Sequence, residues 1–249
     1  MILQNKPSDA KSVSTCDSKL LRALRPADLA LLSPHLEQVE RAAGEELYKP
    51  GDNVGTVYFP CGPSLVSYLV TNADGNDVET ILIGREGAVG GIVSTGHLPA
   101  YCRIVVKFGG LFSHMPVSLL EAAKAQSPSL RSLFARYADC LLAQIFQATA
   151  CNAIHSIEQR TAKWILSATE RTNSLIVPLT HDELASMLGV GRSYTSRVIQ
   201  VFKLDGILET RRGALVVRDR AALEARSCAC NDSVKDHFAQ VLRGVYPDT

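Results

Sequence analysis

The sequence has no long apolar run. Across its 249 residues, no stretch approaches the roughly 18 consecutive apolar residues that a membrane-spanning helix needs. The beginning of the chain also lacks the apolar core of a secretory signal peptide. Hydrophobic residues nevertheless make up 46% of the chain, enough for one large or two ordinary domains with their own cores. We therefore expect a cytoplasmic protein that does not contact a membrane.

The cysteines are scattered along the chain. The seven cysteines are odd in number and show no regular spacing, which does not indicate a disulfide framework; they are Cys16, Cys61, Cys102, Cys140, Cys151, Cys228 and Cys230. Most are expected to be small buried hydrophobic residues. Cys151 and His155 share a helical face and Cys228 and Cys230 follow later, so a metal or redox site is an alternative. We favour separate thiols and assign no metal ligand, because no sequence pattern marks a third and a fourth ligand for Cys151 and His155.

Motifs for catalysis are lacking as well. The sequence contains no nucleophile elbow with its Ser, His and Asp, no His-x-x-x-His pair, no phosphate-binding loop with lysine and no close pair of carboxylates bracketed by strands. A barrel enzyme that binds a small molecule is the alternative from another class, because barrels with a double glycine and acidic rims also host catalysis. We expect that the protein is not an enzyme.

The net charge is only +1, but the charges are unevenly distributed. Residues 28–89 carry ten acidic and three basic side chains, whereas residues 189–220 carry seven basic and three acidic ones. The first region would repel nucleic acid, and the second has a local charge of +4 that attracts a polyanion.

Residues 180–208 have the pattern of a helix-turn-helix. Thr180 and Glu183 have the spacing of a capping box that starts a helix, and Gly189 supplies the left-handed cap that ends it. After a short turn, a second helix over residues 192–205 places Thr195, Val198, Ile199 and Phe202 on one face. Its outer face is predicted to contact DNA, together with Thr180; these outer residues are Arg192, Ser193, Tyr194, Ser196, Arg197 and Gln200. An ordinary helical hairpin with solvated charges is the alternative.

A short hairpin follows this second helix. Residues 207–210 and 214–217 read as two strands around a turn that contains Arg211, Arg212 and Gly213. Two arginines at the tip of such a hairpin are predicted to contact phosphates, as in the wing of a winged helix. The wing, the capping box and the basic outer face together favour a DNA-binding domain over an ordinary hairpin.

The upstream sequence divides into a barrel and a long helix. Short apolar runs separated by turn residues predict an antiparallel barrel or jelly roll between residues 38 and 108, and a helical period returns after Pro116. The helix after Pro128 has more apolar surface than one neighbouring barrel needs, which favours a seam between two chains over burial in a single core. We therefore predict five segments: a mobile tail (1–17), an effector domain (18–127), a dimerisation helix (128–152), a winged helix-turn-helix (153–226) and a C-terminal tail (227–249).

Taken together, the order of segments resembles the Crp/Fnr family, the bacterial transcription regulators related to the cyclic AMP receptor protein. The resemblance rests on GEELYKPGD at residues 44–52, on LTHDELASMLGVGRSYTSRVI at residues 179–199 and on ACNAIHSIEQRTAKWIL at residues 150–166, a phrase found in an uncharacterised subgroup. It implies an α+β chain with an N-terminal cyclic-nucleotide-binding-like jelly roll and a C-terminal winged helix. It also implies a homodimer on double-stranded DNA that reads a near-palindromic site, with RNA polymerase as a further partner if the protein activates transcription.

The resemblance carries Arg192 and Arg197 over to the two arginines of the family's reading helix. Ser193 stands where that helix has an acidic residue and Tyr194 where it has threonine. A serine reads cytosine only loosely compared with a glutamate, so the DNA site is expected to differ from that of the family's best-known member.

The effector region departs further from the family pattern. Gly90-Gly91 stands where cyclic-nucleotide-binding members have Gly-Glu, and Tyr101, Cys102 and Arg103 cover their Arg-Ser/Thr-Ala region. Arg103 is a candidate for a phosphate and the two glycines for an anion-binding nest. The missing carboxylate argues against cyclic AMP, although a regulator that responds to cyclic AMP or cyclic GMP remains the alternative. Relatives that sense oxygen carry an N-terminal cysteine cluster, whereas Cys16 is alone, so an iron-sulfur cluster is not expected and the effector is unassigned.

Overall fold

The computed structural model describes residues 16–73, 75–94 and 96–243. Most of the segment expected to be a mobile tail, residues 1–15, lies outside the described residues. Its last two residues are fixed in place: Cys16 forms a disulfide with Cys61, with 5.1 Å between the Cα atoms, and Asp17 forms an ion pair with Arg85 at 2.6 Å. The expectation of no disulfide was therefore wrong for this pair. The two cysteines are 45 residues apart in the sequence. No local pattern indicates such a contact, because only the tertiary fold creates it.

The N-terminal domain is an antiparallel β-roll, preceded by two short helices. Helices α1 (Lys19–Arg22) and α2 (Pro26–Leu32) lead through a 3-10 turn into the strands. The seven strands are β1 (Glu37–Arg41), β2 (Glu46–Tyr48), β3 (Thr56–Pro60), β4 (Leu65–Thr71), β5 (Asp77–Ile83), β6 (Arg103–Phe108) and β7 (Gly110–Pro116). They form one sheet in the order β1-β7-β3 and a second in the order β2-β6-β4-β5, in which all neighbours are antiparallel. The predicted jelly-roll class is confirmed.

Two helices follow the β-roll. Helix α3 (Val117–Gln126) is succeeded by the 27-residue helix α4 (Pro128–Ile154), which begins at the side-chain cap of Ser127. The first half of α4 buries Leu133, Phe134 and Tyr137 against β3 and the N-terminal helices. The second half exposes Leu142 and Phe146, so only part of the apolar surface noted in the sequence is available to another chain.

The C-terminal domain is a three-helix core with a small sheet. Helix α5 (Ile157–Thr172) begins at a capping box on Ser156, and the remaining helices and strands complete the winged helix. They are β8 (Ile176–Val177), α6 (His181–Leu188), α7 (Arg192–Leu204), β9 (Leu208–Arg211), β10 (Ala214–Val217) and α8 (Arg220–Arg226). The strands pair in the order β8-β10-β9. The predicted α+β architecture, with a C-terminal winged helix-turn-helix, is therefore present.

The segment expected to be a C-terminal tail contains a further helix. Helix α9 (Cys230–Arg243) returns along α4, where Phe238 packs edge-to-face on Tyr137 with 6.2 Å between the ring centroids. The guanidinium of Arg136 also donates to the carbonyl of Val241 at 2.9 Å. Residues 230–243 are therefore an integral part of the fold, and residues 244–249 lie outside the described residues.

Among the described residues, no helix is both long enough and apolar enough to cross a membrane.

Candidate DNA-binding site and its connection to the β-roll

The first helix of the helix-turn-helix is held by the predicted capping box. The hydroxyl of Thr180 accepts from the backbone N–H of Glu183 at 3.2 Å, and a carboxylate oxygen of Glu183 accepts from the N–H of Thr180 at 2.7 Å. Gly189 ends the helix with φ +66°, a left-handed conformation that a side chain would strain. Both ends of α6 are therefore set by residues recognised in the sequence.

The second helix, α7, separates a buried face from an exposed one. Thr195, Val198, Ile199 and Phe202 are buried, as predicted. Ser196 is partly buried, and the other predicted reading residues are exposed: Arg192, Ser193, Tyr194, Arg197 and Gln200. The exposed set forms a surface that can meet the edges of bases in a major groove.

Contacts on and beside α7 orient several of these side chains. The guanidinium of Arg197 stacks over the ring of Tyr194 at 5.1 Å from its centroid, and Arg192 pairs with Asp182 at 3.1 Å. Ser196 is hydrogen-bonded to Nδ1 of His181 at 3.1 Å. Burial, reinforced by nearby cationic side chains, lowers the pKa of His181, so its ring is neutral at pH 7 and links α6 to α7 without adding charge.

The wing presents two arginines in different settings. Arg212 is exposed in the turn beside Gly213, which has φ +71°. Arg211 is also exposed but pairs with Glu209 at 2.9 Å. Arg218 pairs with the same glutamate, and together the two arginines lower its pKa. A phosphate would therefore meet a free guanidinium at Arg212 and would compete with Glu209 at Arg211.

The predicted effector residues have protein partners in this structure. Arg103 forms an ion pair with Glu46 at 2.7 Å and a second, closer one with Asp77. The N–H of Gly90 faces the hydroxyl of Tyr68, whose pKa is raised by burial. Cys102 is partly buried, and burial also raises its pKa, whereas Tyr101 is 87% exposed. Two carboxylates already neutralise Arg103, which does not favour a phosphate as its ligand.

The double glycine allows a close approach between backbone segments. A Cβ atom on Gly90, which has φ +105°, would lie 2.3 Å from the carbonyl oxygen of Thr56 in β3. A Cβ on Gly91 would lie 3.1 Å from both methyl groups of Val117 at the start of α3. These glycines are therefore explained by packing of the 84–92 turn against β3 and α3.

The winged helix is docked directly on the outer face of the β2-β6-β4-β5 sheet. The ammonium group of Lys107 in β6 pairs with Glu183 at 2.9 Å, and the hydroxyl of Ser186 donates to the carbonyl of Asp77 at 3.0 Å. The indole N–H of Trp164 in α5 donates to Glu79 in β5 at 2.6 Å. Leu82 and Phe108 of the sheet share one apolar core with Trp164. The position of the DNA-binding helices is thus coupled to the β-roll.

Glu79 is the partly buried carboxylate at the centre of this contact. Burial raises its pKa above the ordinary 4.5, whereas hydrogen bonds from Ser67 and Trp164 and the nearby cations oppose that rise. Since the pKa is higher in the folded than in the unfolded chain, the folded state binds this proton more tightly. The stabilisation that the folded state gains from binding this proton is fully present below about pH 4.5. It is lost as the pH rises through the raised pKa of Glu79.

We therefore expect Glu79→Gln to change the pH dependence of stability. The glutamine cannot ionise, so the Tm of the wild type minus that of the variant should fall between about pH 4 and pH 7. Differential scanning fluorimetry of both proteins across that range measures it. If this Tm difference stays constant or grows with pH, burial is not the main influence on the pKa of Glu79.

Four metal-ligating side chains also meet at one point. Cys151, His155, Cys228 and Cys230 place their ligand atoms within 4.8 Å of one another. The interpretation as separate thiols was therefore wrong. Cys151 and Cys228 are 77 residues apart, and the local signals were the helical spacing of Cys151 and His155 and the close pair of Cys228 and Cys230.

Comparison with known proteins places this geometry in a class. Residues 159–226 match the Crp-like helix-turn-helix domain family. A putative Crp/Fnr regulator from Eubacterium rectale is 16% identical, with a TM-score of 0.62, 86% of this chain covered and 98% of that one. FixK2 from Bradyrhizobium japonicum is 17% identical, with a TM-score of 0.66 and coverages of 78% and 98%. TTHB099 from Thermus thermophilus, a CRP-family transcriptional regulator, is 18% identical, with a TM-score of 0.64 and coverages of 76% and 96%.

The chain therefore has the fold of Crp/Fnr-type transcription regulators. Its residues 159–226 form a Crp-like helix-turn-helix domain, for which DNA is the partner. No curated protein sequence matches the chain.

Proposed function

We propose that the protein is a homodimeric transcription regulator that reads a near-palindromic DNA site with the exposed face of α7 and responds to a signal received by its β-roll. The observation that carries this proposal is the exposed basic face of α7, with Arg192 and Arg197 held over a buried apolar face. An exposed, preformed helix of this kind fits the major groove. RNA polymerase would be a further partner if the protein activates transcription.

Dimerisation is assigned to the second half of α4. Leu142 is 49% exposed and Phe146 68% exposed, and the two lie one helical turn apart on the side that α9 and the β-roll leave open. Thr149 and Ala150 continue the same stripe. Two such stripes packed against each other would form a parallel seam and place the two α7 helices on one side of the dimer.

The signal would act through the contact between the β-roll and the winged helix. Lys107, Asp77 and Glu79 hold α5 and α6 on the sheet. A ligand that binds better to a conformation without these contacts would release the DNA-binding helices from the sheet. Because Arg103 is already paired with Glu46 and Asp77, we propose that the effector is neither cyclic AMP nor cyclic GMP. A thermal-shift screen of nucleotides, haem and metals would identify the effector by a rise in the Tm of the protein.

We expect the wing arginines to contribute without regard to base sequence. Arg211→Ala and Arg212→Ala should weaken binding to specific and random duplexes alike and lower the slope of log K against log salt by about one each, because each phosphate contact releases a counterion. Fluorescence anisotropy across a salt series measures this. Arg212→Ala should have the larger effect, since Arg211 must first leave Glu209. A loss confined to one sequence would contradict the phosphate assignment.

A further inference from the structure

We propose that Cys151, His155, Cys228 and Cys230 form a binding site for one tetrahedral zinc ion. Cys151 lies in the last turn of α4 and His155 directly after the helix, while Cys228 and Cys230 precede and begin α9. Three cysteines and one histidine are a recognised ligand set for structural zinc.

The distances fit a single ion. In a tetrahedral site with Zn–S about 2.3 Å and Zn–N about 2.0–2.1 Å, two sulfurs lie about 3.8 Å apart and a sulfur and a nitrogen about 3.6 Å. The sulfurs of Cys151 and Cys228 are 3.7 Å apart, and the sulfur of Cys230 is 3.6 Å from Nδ1 of His155. The first distance is too long for a disulfide. An iron-sulfur cluster would hold its ligands further apart, because metal–metal distances add to the span.

The surroundings suit the charge of such a site. Three thiolates and one Zn²⁺ carry a net charge of −1, and the ammonium group of Lys163 lies 3.3 Å from the sulfur of Cys151. The side-chain amide of Gln147 donates to the sulfur of Cys230 at 3.0 Å, and the backbone N–H of Cys230 donates to Cys228. Donors of this kind orient metal-bound thiolates and stabilise their charge.

The site is enclosed and lies at a junction. The three cysteines are buried and His155 is partly buried, which is typical of a structural metal site and not of an open catalytic one. His155 ends α4 and Ser156 caps α5, so these two residues form the hinge between the helices. The ion would tie this hinge to the start of α9. It would thereby fix the angle between α4 and the winged helix. This last consequence rests on the proposed function, whereas the presence of the ion does not.

The test is the zinc content of the full chain purified under reducing conditions. Elemental analysis is expected to give about one zinc per wild-type chain, and Cys228→Ser and His155→Ala should each lose most of it. Cys102→Ser is the matched control, because Cys102 is a free cysteine outside the cluster, and it should keep the metal. Circular dichroism of each variant separates loss of a ligand from loss of the fold.

A second measurement uses the wild type alone. After the metal is removed, titration with Co²⁺ should produce the intense visible bands of tetrahedral thiolate-bound cobalt, and zinc should displace them. The removal itself should lower the Tm. A wild type without zinc above the level of Cys228→Ser, or a cobalt titration without these bands, would overturn the site. DNA binding unaffected by metal removal would overturn only its role at the hinge.

Discussion

Arg192→Ala and Arg197→Ala should each weaken binding to the protein's specific DNA site by about 1–3 kcal/mol, or about 5- to 150-fold. Both guanidinium groups project from the exposed face of α7, and neither supports the buried face formed by Thr195, Ile199 and Phe202. The fold and the dimer should therefore be unchanged. Anisotropy with specific and random duplexes measures the effect, which should be much smaller on the random duplex.

Arg131→Ala is the control for this experiment, because Arg131 is an exposed arginine on α4 and not on the DNA-binding domain. It should leave both affinities within error of the wild type. If Arg192→Ala and Arg197→Ala bind the specific site as tightly as this control, α7 is not the reading helix.

Phe146→Glu should dissociate the dimer. In a two-fold seam each chain loses one buried aromatic side chain, at about 1.5–3 kcal/mol each, so dimerisation weakens by about 3–6 kcal/mol, or about 10²- to 10⁴-fold. Phe146 is 68% exposed within the chain, so the folded protomer should tolerate the change. Sedimentation at micromolar concentration should show monomers, and operator affinity should fall with dimerisation.

Leu175→Glu provides the matched control, since Leu175 is also exposed, at 51%, but lies before β8 outside α4. It should remain dimeric. A Phe146→Glu protein that sediments like this control would place the seam elsewhere.

Local signals made the DNA-binding domain predictable. The capping box of Thr180 and Glu183, the left-handed Gly189 and the helical period of α7 each act within a few residues, and all appear in the structure as expected. The first strand of the wing is shifted by one residue, from the predicted 207–210 to Leu208–Arg211, so that Arg211 ends the strand.

The features missed in the sequence depend on distant contacts. The Cys16–Cys61 disulfide, the return of α9 along α4 and the gathering of Cys228 and Cys230 around Cys151 join segments 45 to 105 residues apart. No periodicity signals such pairings. The docking of Trp164 on Glu79 was hidden for the same reason, because an isolated tryptophan on a helix face indicates burial but not its partner.

In the β-roll, residues that a family pattern assigns to an effector have other contacts in the structure. Gly90 and Gly91 were assigned to an effector because of their place in a family pattern, yet their contacts with Thr56 and Val117 are explained by packing. Arg103 likewise satisfies Glu46 and Asp77. A family pattern therefore predicts where a residue lies in the fold. It does not predict what the side chain binds when the neighbouring residues differ from those of the family.

Selection of bound duplexes from a random DNA pool, followed by measurement of the stoichiometry of the complex, tests the central claim most directly. A dimeric Crp/Fnr-like regulator should enrich a two-fold symmetric site whose half-sites are about one helical turn, or about 10 base pairs, apart and should bind it as two chains. Arg197→Ala should relax the same position in both half-sites. Recovery of no consensus, or of an asymmetric site occupied by a single chain, would contradict the account.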